Sequence, residues 1–223
     1  MLRDPTAGPQ RTQGERRRYQ ILECAVDLAS AVGLSGLSIG RLARELGASK
    51  TGVYAHFGSK QALQLATIEH ASVDFERQVL QETREEEPGL PRLRARIAAW
   101  LRYVEQIPCR GGCFFAATSS EFASRPGPVR ERLAERTGTW LRALEREARI
   151  ALRQGELCEG ADPATLAFSI HACVQEANWA RELLGADEAF ARARACIELS
   201  LATALAPRAA EPRPHPTKET PDA

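Results

Sequence analysis

An all-α protein in two parts, a small front unit and a larger helical body, is what these 223 residues predict. Three observations carry that reading. Apolar residues recur at three- and four-residue spacing through most of the chain, the period of a half-buried helix. Period-two alternation never persists over the four to eight residues that a strand needs. Small polar residues open the apolar-periodic segments and glycines close them, as helix caps do.

Length and composition set the frame. A chain of this length holds one or two compact domains, and 43% hydrophobic with 26% charged residues is an ordinary globular balance. The apolar runs fall short of a membrane span of ~20 residues, and the first residues carry no secretory h-region. The sequence therefore predicts a cytoplasmic protein with no membrane partner. Six cysteines are too few for a disulfide scaffold at this length, so reduced thiols are expected. The net charge of +1 hides an asymmetry: residues 1–60 hold nine Lys or Arg against five Asp or Glu, and the remainder 21 against 24. A basic front on a slightly acidic body suits a nucleic-acid-binding unit attached to something else.

Residues 1–14, poor in apolar side chains, predict a disordered arm, and 207–223, with five prolines, a disordered tail. Between them a front domain is expected over 15–75 and an effector-binding and dimerisation domain over 76–206. The first helix is expected over 15–31, with Ile21, Leu22, Ala25, Leu28 and Ala29 on one face and Gly33 at its end. Ser38 is placed to cap a short second helix burying Ile39, Leu42, Ala43 and Leu46, which Gly47 stops. Ser49 opens a third, Lys50 to Phe57, which Gly58 ends; Ser59 opens a long fourth running toward the acidic Glu85-Glu86-Glu87-Pro88-Gly89 break. Longer body helices are expected at 91–106, 113–124, 128–155, 162–185 and 187–205, with Pro128 and Pro163 in first turns, where proline is tolerated.

Two short helices joined by Gly47-Ala48-Ser49 fit a helix-turn-helix. Such a unit lays its second helix in the major groove of double-stranded DNA and reads bases from that helix's N-terminal part. Lys50, Thr51 and Gly52 stand there: Thr51 suits a base edge or a thymine methyl, and Gly52 permits close backbone approach. Tyr54, His56, Ser38 and Lys60 are candidates for phosphate, the contacts that fix register and supply salt-dependent affinity, and Ser49 is a further DNA-binding candidate.

The run Ile39-Gly40-Arg41-Leu42-Ala43-Arg44-Glu45-Leu46-Gly47, then Lys50-Thr51-Gly52-Val53-Tyr54-Ala55-His56-Phe57 and Ser59-Lys60-Gln61-Ala62-Leu63, closely resembles the tetracycline-repressor-like (TetR) family. The resemblance spans about residues 15–75. It implies a repressor that binds a palindromic operator as a homodimer and is released by a small molecule held in the body. It also implies that Tyr54 and Lys60 touch the DNA backbone, while Thr51 and Gly52 lie at base edges. Two body helices would build the dimer interface, with Ala167, Ile170, Val174, Ala193, Ile197 and Leu201 as its residues. An internal core is the competing reading of those positions.

An effector pocket is expected among the fourth to eighth helices. Trp100, Tyr103, Cys113, Phe114, Phe115 and Phe168 would form its walls, with His171, Gln175 and Asn178 as polar contacts at i, i+4 and i+7. Cys109-Arg110-Gly111-Gly112-Cys113, with the Phe-Phe and Ser120-Glu121-Phe122 that follow, resembles one large branch of the family. Cys113, near a helix start and near Arg110, is a second-choice sensor: a lowered pKa would make it a reactive thiolate for oxidants or electrophiles. The opposite reading makes it a small buried hydrophobe, like Cys24, Cys158, Cys173 and Cys196. The spacing of Cys109 and Cys113 matches no standard zinc ligand set, so no metal and no cofactor are expected. No phosphate loop, nucleophile elbow or His-Glu-x-x-His helix occurs, so no catalytic residues are assigned. A DNA-binding protein without any effector is the remaining alternative.

Overall fold

A computed structural model describes residues 12–205. The tail expected at 207–223, and the arm as far as residue 11, lie outside the described residues. Residues 12–14, expected in the arm, instead start the first helix. Thr12 Oγ1 accepts from Glu15 N at 3.2 Å while Glu15 Oε2 accepts from Thr12 N at 2.7 Å, a reciprocal cap that satisfies two otherwise orphaned amides.

The described residues form nine α-helices and no strand. The front holds α1 (Gln13–Gly36), α2 (Ile39–Glu45), α3 (Lys50–Phe57) and α4 (Lys60–Phe75). The body holds α5 (Leu90–Gln106), α6 (Phe114–Phe122), α7 (Pro128–Arg153), α8 (Pro163–Leu184) and α9 (Ala189–Ala204). α4 runs on without a break into a π-helical turn, Glu76–Gln81, which periodicity alone did not reveal. Gly33 interrupts α1 at φ 72°, a left-handed value that glycine adopts without steric cost.

Two apolar cores divide the molecule. The front core collects Ile21, Leu28, Leu34, Leu42, Val53, Leu63 and Ile68 from the first four helices. It also takes Phe114 from α6 and Val129 and Leu133 from α7, so the front unit is completed by the body. The body core collects Trp100, Leu144, Ile170, Val174, Ile197 and Leu201, together with Phe75 from the end of α4. Each fully buried Leu or Ile here contributes roughly 1.5–3 kcal/mol by leaving water.

One buried ion pair ties the body together. Arg96 Nη1 lies 2.9 Å from Glu147 Oε1, with side chains 6% and 0% exposed. Arg96 also donates to the Ala143 carbonyl at 3.0 Å, and the other Glu147 oxygen accepts from Gly89 N at 3.2 Å. Burial lowers the Arg96 pKa and the facing Glu147 carboxylate opposes that shift. The carboxylate thus also caps the N-terminus of α5, where negative charge is favoured.

Candidate functional site

The front surface is built from local capping. Ser38, Ser49 and Ser59 open α2, α3 and α4, each with its hydroxyl accepting from an amide three residues on, at 3.2, 3.0 and 3.1 Å. Gly58 closes α3 at φ 70°, its N–H donating to the Tyr54 carbonyl at 2.8 Å. Val53 and Phe57 turn inward, which leaves Lys50, Thr51, Gly52 and Tyr54 exposed on one side of α3 with His56 half-buried. A Cβ added at Gly52 would meet only the Ser49 hydroxyl, at 3.1 Å. Packing inside the protein therefore gives little reason for glycine there. Lys60 is exposed, but its ammonium donates to the Ser35 carbonyl, an internal partner that the sequence did not indicate.

Behind this unit, residues 109–122 couple body to front. The Arg110 guanidinium reaches Asp27 on α1 and Glu45 on α2, each at 2.7 Å. Gly111 N donates to Ser30 Oγ at 3.1 Å, and a Cβ on Gly111 would stand 2.3 Å from the Ser30 carbonyl oxygen. Farther along α6, Glu121 accepts from Leu34 N and Ser35 N at 2.7 and 3.0 Å, capturing the two amides freed by the kink at Gly33. Gln64 on α4 binds the Leu34 carbonyl of the same turn at 2.7 Å.

Of the two readings of Cys113, this arrangement favours the small buried hydrophobe over the activated thiolate. Cys113 is buried, and burial pushes its thiol pKa up, against weaker lowering by the amides at the start of α6. Cys109 is likewise pushed up to about 11, first by burial and then by Asp27. Arg110, expected to activate Cys113, is spent on Asp27 and Glu45. Among the described residues no group of three or more His, Cys, Asp or Glu is placed to hold a metal, and no helix is long and apolar enough to cross a membrane.

A cavity partly open to solvent lies between α4 and α8. Of the expected pocket residues, Trp100, Cys113, Phe115, His171 and Gln175 line it. His171 stacks on Trp100 with ring centres 5.5 Å apart, and its Nε2 lies 3.2 Å from the Gln175 amide nitrogen. Burial lowers the His171 pKa, favouring the neutral ring. The other four expected pocket residues sit elsewhere. Tyr103 faces a separate groove, its phenol pKa raised by burial. Phe114 is part of the front core, and Asn178 Oδ1 accepts from Cys113 N at 2.9 Å. Phe168 is 71% exposed on the outside of α8.

Sequence reasoning missed the wall supplied by α7. Arg136 and Trp140 line the cavity in contact with Glu76 and Phe75. The signal was present as an arginine one turn before an aromatic, within the stripe of α7 that buries Leu133, Trp140 and Leu144. The six residues expected between subunits also lie elsewhere. Ala167, Ile170, Val174, Ala193, Ile197 and Leu201 are all buried within their own chain, where α8 and α9 pack on each other and on the body. The large apolar side chains that those two helices do expose are Phe168, Trp179, Leu183, Leu184 and Leu199.

Comparison with known proteins agrees with this architecture. The model of bacterial regulatory proteins of the tetR family matches residues 21–67, and that of the tetracyclin repressor-like C-terminal domain matches residues 89–197. The chain is similar to a TetR transcriptional regulator from Chloroflexus aurantiacus at 22% identity and a TM-score of 0.78, covering 86% of this chain and 98% of that one. It is also similar to AibR, solved in complex with isovaleryl coenzyme A and operator DNA, at 25% identity and 0.66, covering 82% and 97%. The reduced form of Escherichia coli NemR aligns at 18% identity and 0.70, covering 87% and all of that chain. Comparison with curated proteins gives no match.

Proposed function

The chain belongs to the TetR family of transcriptional regulators, and from that premise we propose that it is a dimeric repressor, released from a palindromic operator by a small molecule bound in the α4–α8 cavity. The observation that carries this reading is the double role of α6. Its start and first turn, at Cys113 and Phe115, line the cavity, while its far end holds the α1 kink through Glu121. A ligand that shifts α6 therefore pulls on the turn that also anchors α4 through Gln64 and Lys60. An allosteric coupling of this kind is worth about 1–3 kcal/mol, enough for a 5- to 150-fold loss of operator affinity.

In this reading Thr51 and Gly52 meet base edges, and Lys50, Tyr54, His56 and the starts of α2, α3 and α4 at Ser38, Ser49 and Lys60 meet phosphates. The dimer face is the outer surface of α8 and α9. Phe168, Trp179 and Leu183 recur along one side of α8, and Leu199 stands out on α9 at 67% exposure. Exposed apolar surface of this extent on two adjacent helices marks an association site. A two-fold dimer suits an operator with half-sites about 34–36 Å apart or a multiple of that spacing. The testing experiment is a binding-site selection on random duplex DNA at fixed salt, with the oligomeric state measured in parallel. One enriched palindrome bound by a dimer supports the reading; a folded dimer that enriches no motif refutes specific recognition.

A further inference from the structure

Two residues of the cavity wall carry buried donors without a partner. Among the described residues, three buried side-chain nitrogens find no acceptor in the protein: Arg96 Nε, Arg136 Nε and Trp140 Nε1. The last two belong to cavity-lining residues one turn apart on α7. A buried donor without a partner is unfavourable, so two on neighbouring residues of one cavity wall are a feature that needs explaining.

Charge narrows what meets them. The terminal nitrogens of Arg136 are already committed, one to Glu69 and the other 3.7 Å from Glu76. Glu69 is shared in turn with Arg132 at 2.8 Å. The two charged residues that line the cavity, Glu76 and Arg136, have opposite signs and cancel. An ionised ligand would give up its hydration with no unpaired counter-charge to meet. Four of the other wall side chains are Phe or Trp, set beside polar Ser72, Thr137, Thr139 and Gln175. Trp140 lies edge-on to Phe75 and to Trp100, each with ring centres 5.0 Å apart, and Phe75 packs edge-on to Phe115 at 6.2 Å. Such walls favour a flat ring, stacked or edge-on.

We propose that the cavity takes an uncharged, flat aromatic molecule carrying a carbonyl-type oxygen, which accepts hydrogen bonds from Trp140 Nε1 and Arg136 Nε. The proposal rests on the cavity being the effector site and names the chemical class of that effector. Calorimetric titration of the full chain with 1-acetonaphthone, 1-ethylnaphthalene and 1-naphthoate holds the ring constant while varying the acceptor and the charge. The ketone should bind about tenfold more tightly than either of the others, the advantage of satisfying a buried donor. In the Trp140→Phe protein that advantage over the hydrocarbon should shrink, with the hydrocarbon's own affinity held within about twofold. If that variant fails to fold, the ranking on the unaltered chain decides alone. Tightest binding by naphthoate, equal binding of ketone and hydrocarbon, or binding of none of the three overturns the proposal. Ketone binding that leaves the DNA complex intact would refute the effector role of the cavity while leaving this ligand assignment standing.

Discussion

The recognition unit and the cavity behind it satisfy their polar groups in opposite ways. In α2 and α3, capping partners stand three or four residues apart: Ser38 with Arg41, Ser49 with Gly52, Tyr54 with Gly58. In the body and its link to the front, partners come from far along the chain: Glu121 with Leu34, Arg110 with Asp27, Asn178 with Cys113, Arg96 with Glu147. At the cavity, two donors find no protein partner at all. Local satisfaction frees the outer face of α3 to spend its side chains on another molecule. Long-range satisfaction makes the body a single mechanical unit in which one helix cannot shift alone.

This contrast predicts that stability and DNA preference separate between the regions. The largest effect belongs to Glu147→Ala, which leaves Arg96 charged and buried without its partner. Urea denaturation should show a loss of about 3–5 kcal/mol, with the folded protein's base preference unchanged. Next is Gly111→Ala, whose Cβ would press on the Ser30 backbone at 2.3 Å. The loop must lift from α1, and about 1–3 kcal/mol of stability should go with it in the same assay. Thr51→Ala should do the reverse. Its stability should stay within about 0.5 kcal/mol, while competition between the selected duplex and single-base variants loses about 1–3 kcal/mol of discrimination at one position. The smallest effect is expected for Lys60→Ala, which loses its bond to the Ser35 carbonyl. It should weaken all duplexes alike and reduce the salt dependence of binding by about one unit of log–log slope. Equal losses on selected and random DNA for Thr51→Ala would erase the distinction between the two regions.

The same contrast explains what could be read without coordinates. The third helix, Lys50 to Phe57, and the capping serines at 38, 49 and 59 were legible because a cap and its helix lie within one short stretch. The body helices were legible to within a few residues for the same reason. What each body side chain touches was not. Apolar periodicity identifies Ile170 and Val174 as facing something, but the same stripe serves an internal core and a partner chain. It took the fold to show that these two face their own chain, whereas Phe168, expected in the pocket, points outward. Asn178 shares a helical face with His171 and Gln175, yet it caps α6 instead of meeting the cavity. The two readings of Cys113 stayed open because proximity in sequence to Arg110 says nothing about direction: the guanidinium turns to α1 and α2 while the thiol turns inward. Arg136 and Trp140 went unnoticed because their importance comes from contacts with Phe75 and Glu76, some sixty residues earlier in the chain.

The central claim, that α6 couples cavity and recognition helices, is testable without knowing the effector, because coupling between two binding sites is reciprocal. Hydrogen exchange should be measured on the full chain, free and with the palindrome recovered by selection, against a scrambled duplex of equal length. The palindrome, and not the scrambled duplex, should change protection in α6 and in the turn at Leu34 and Ser35 as well as in α2 and α3. Changes confined to α2, α3 and the start of α4, with α6 and the cavity wall unmoved, would contradict it.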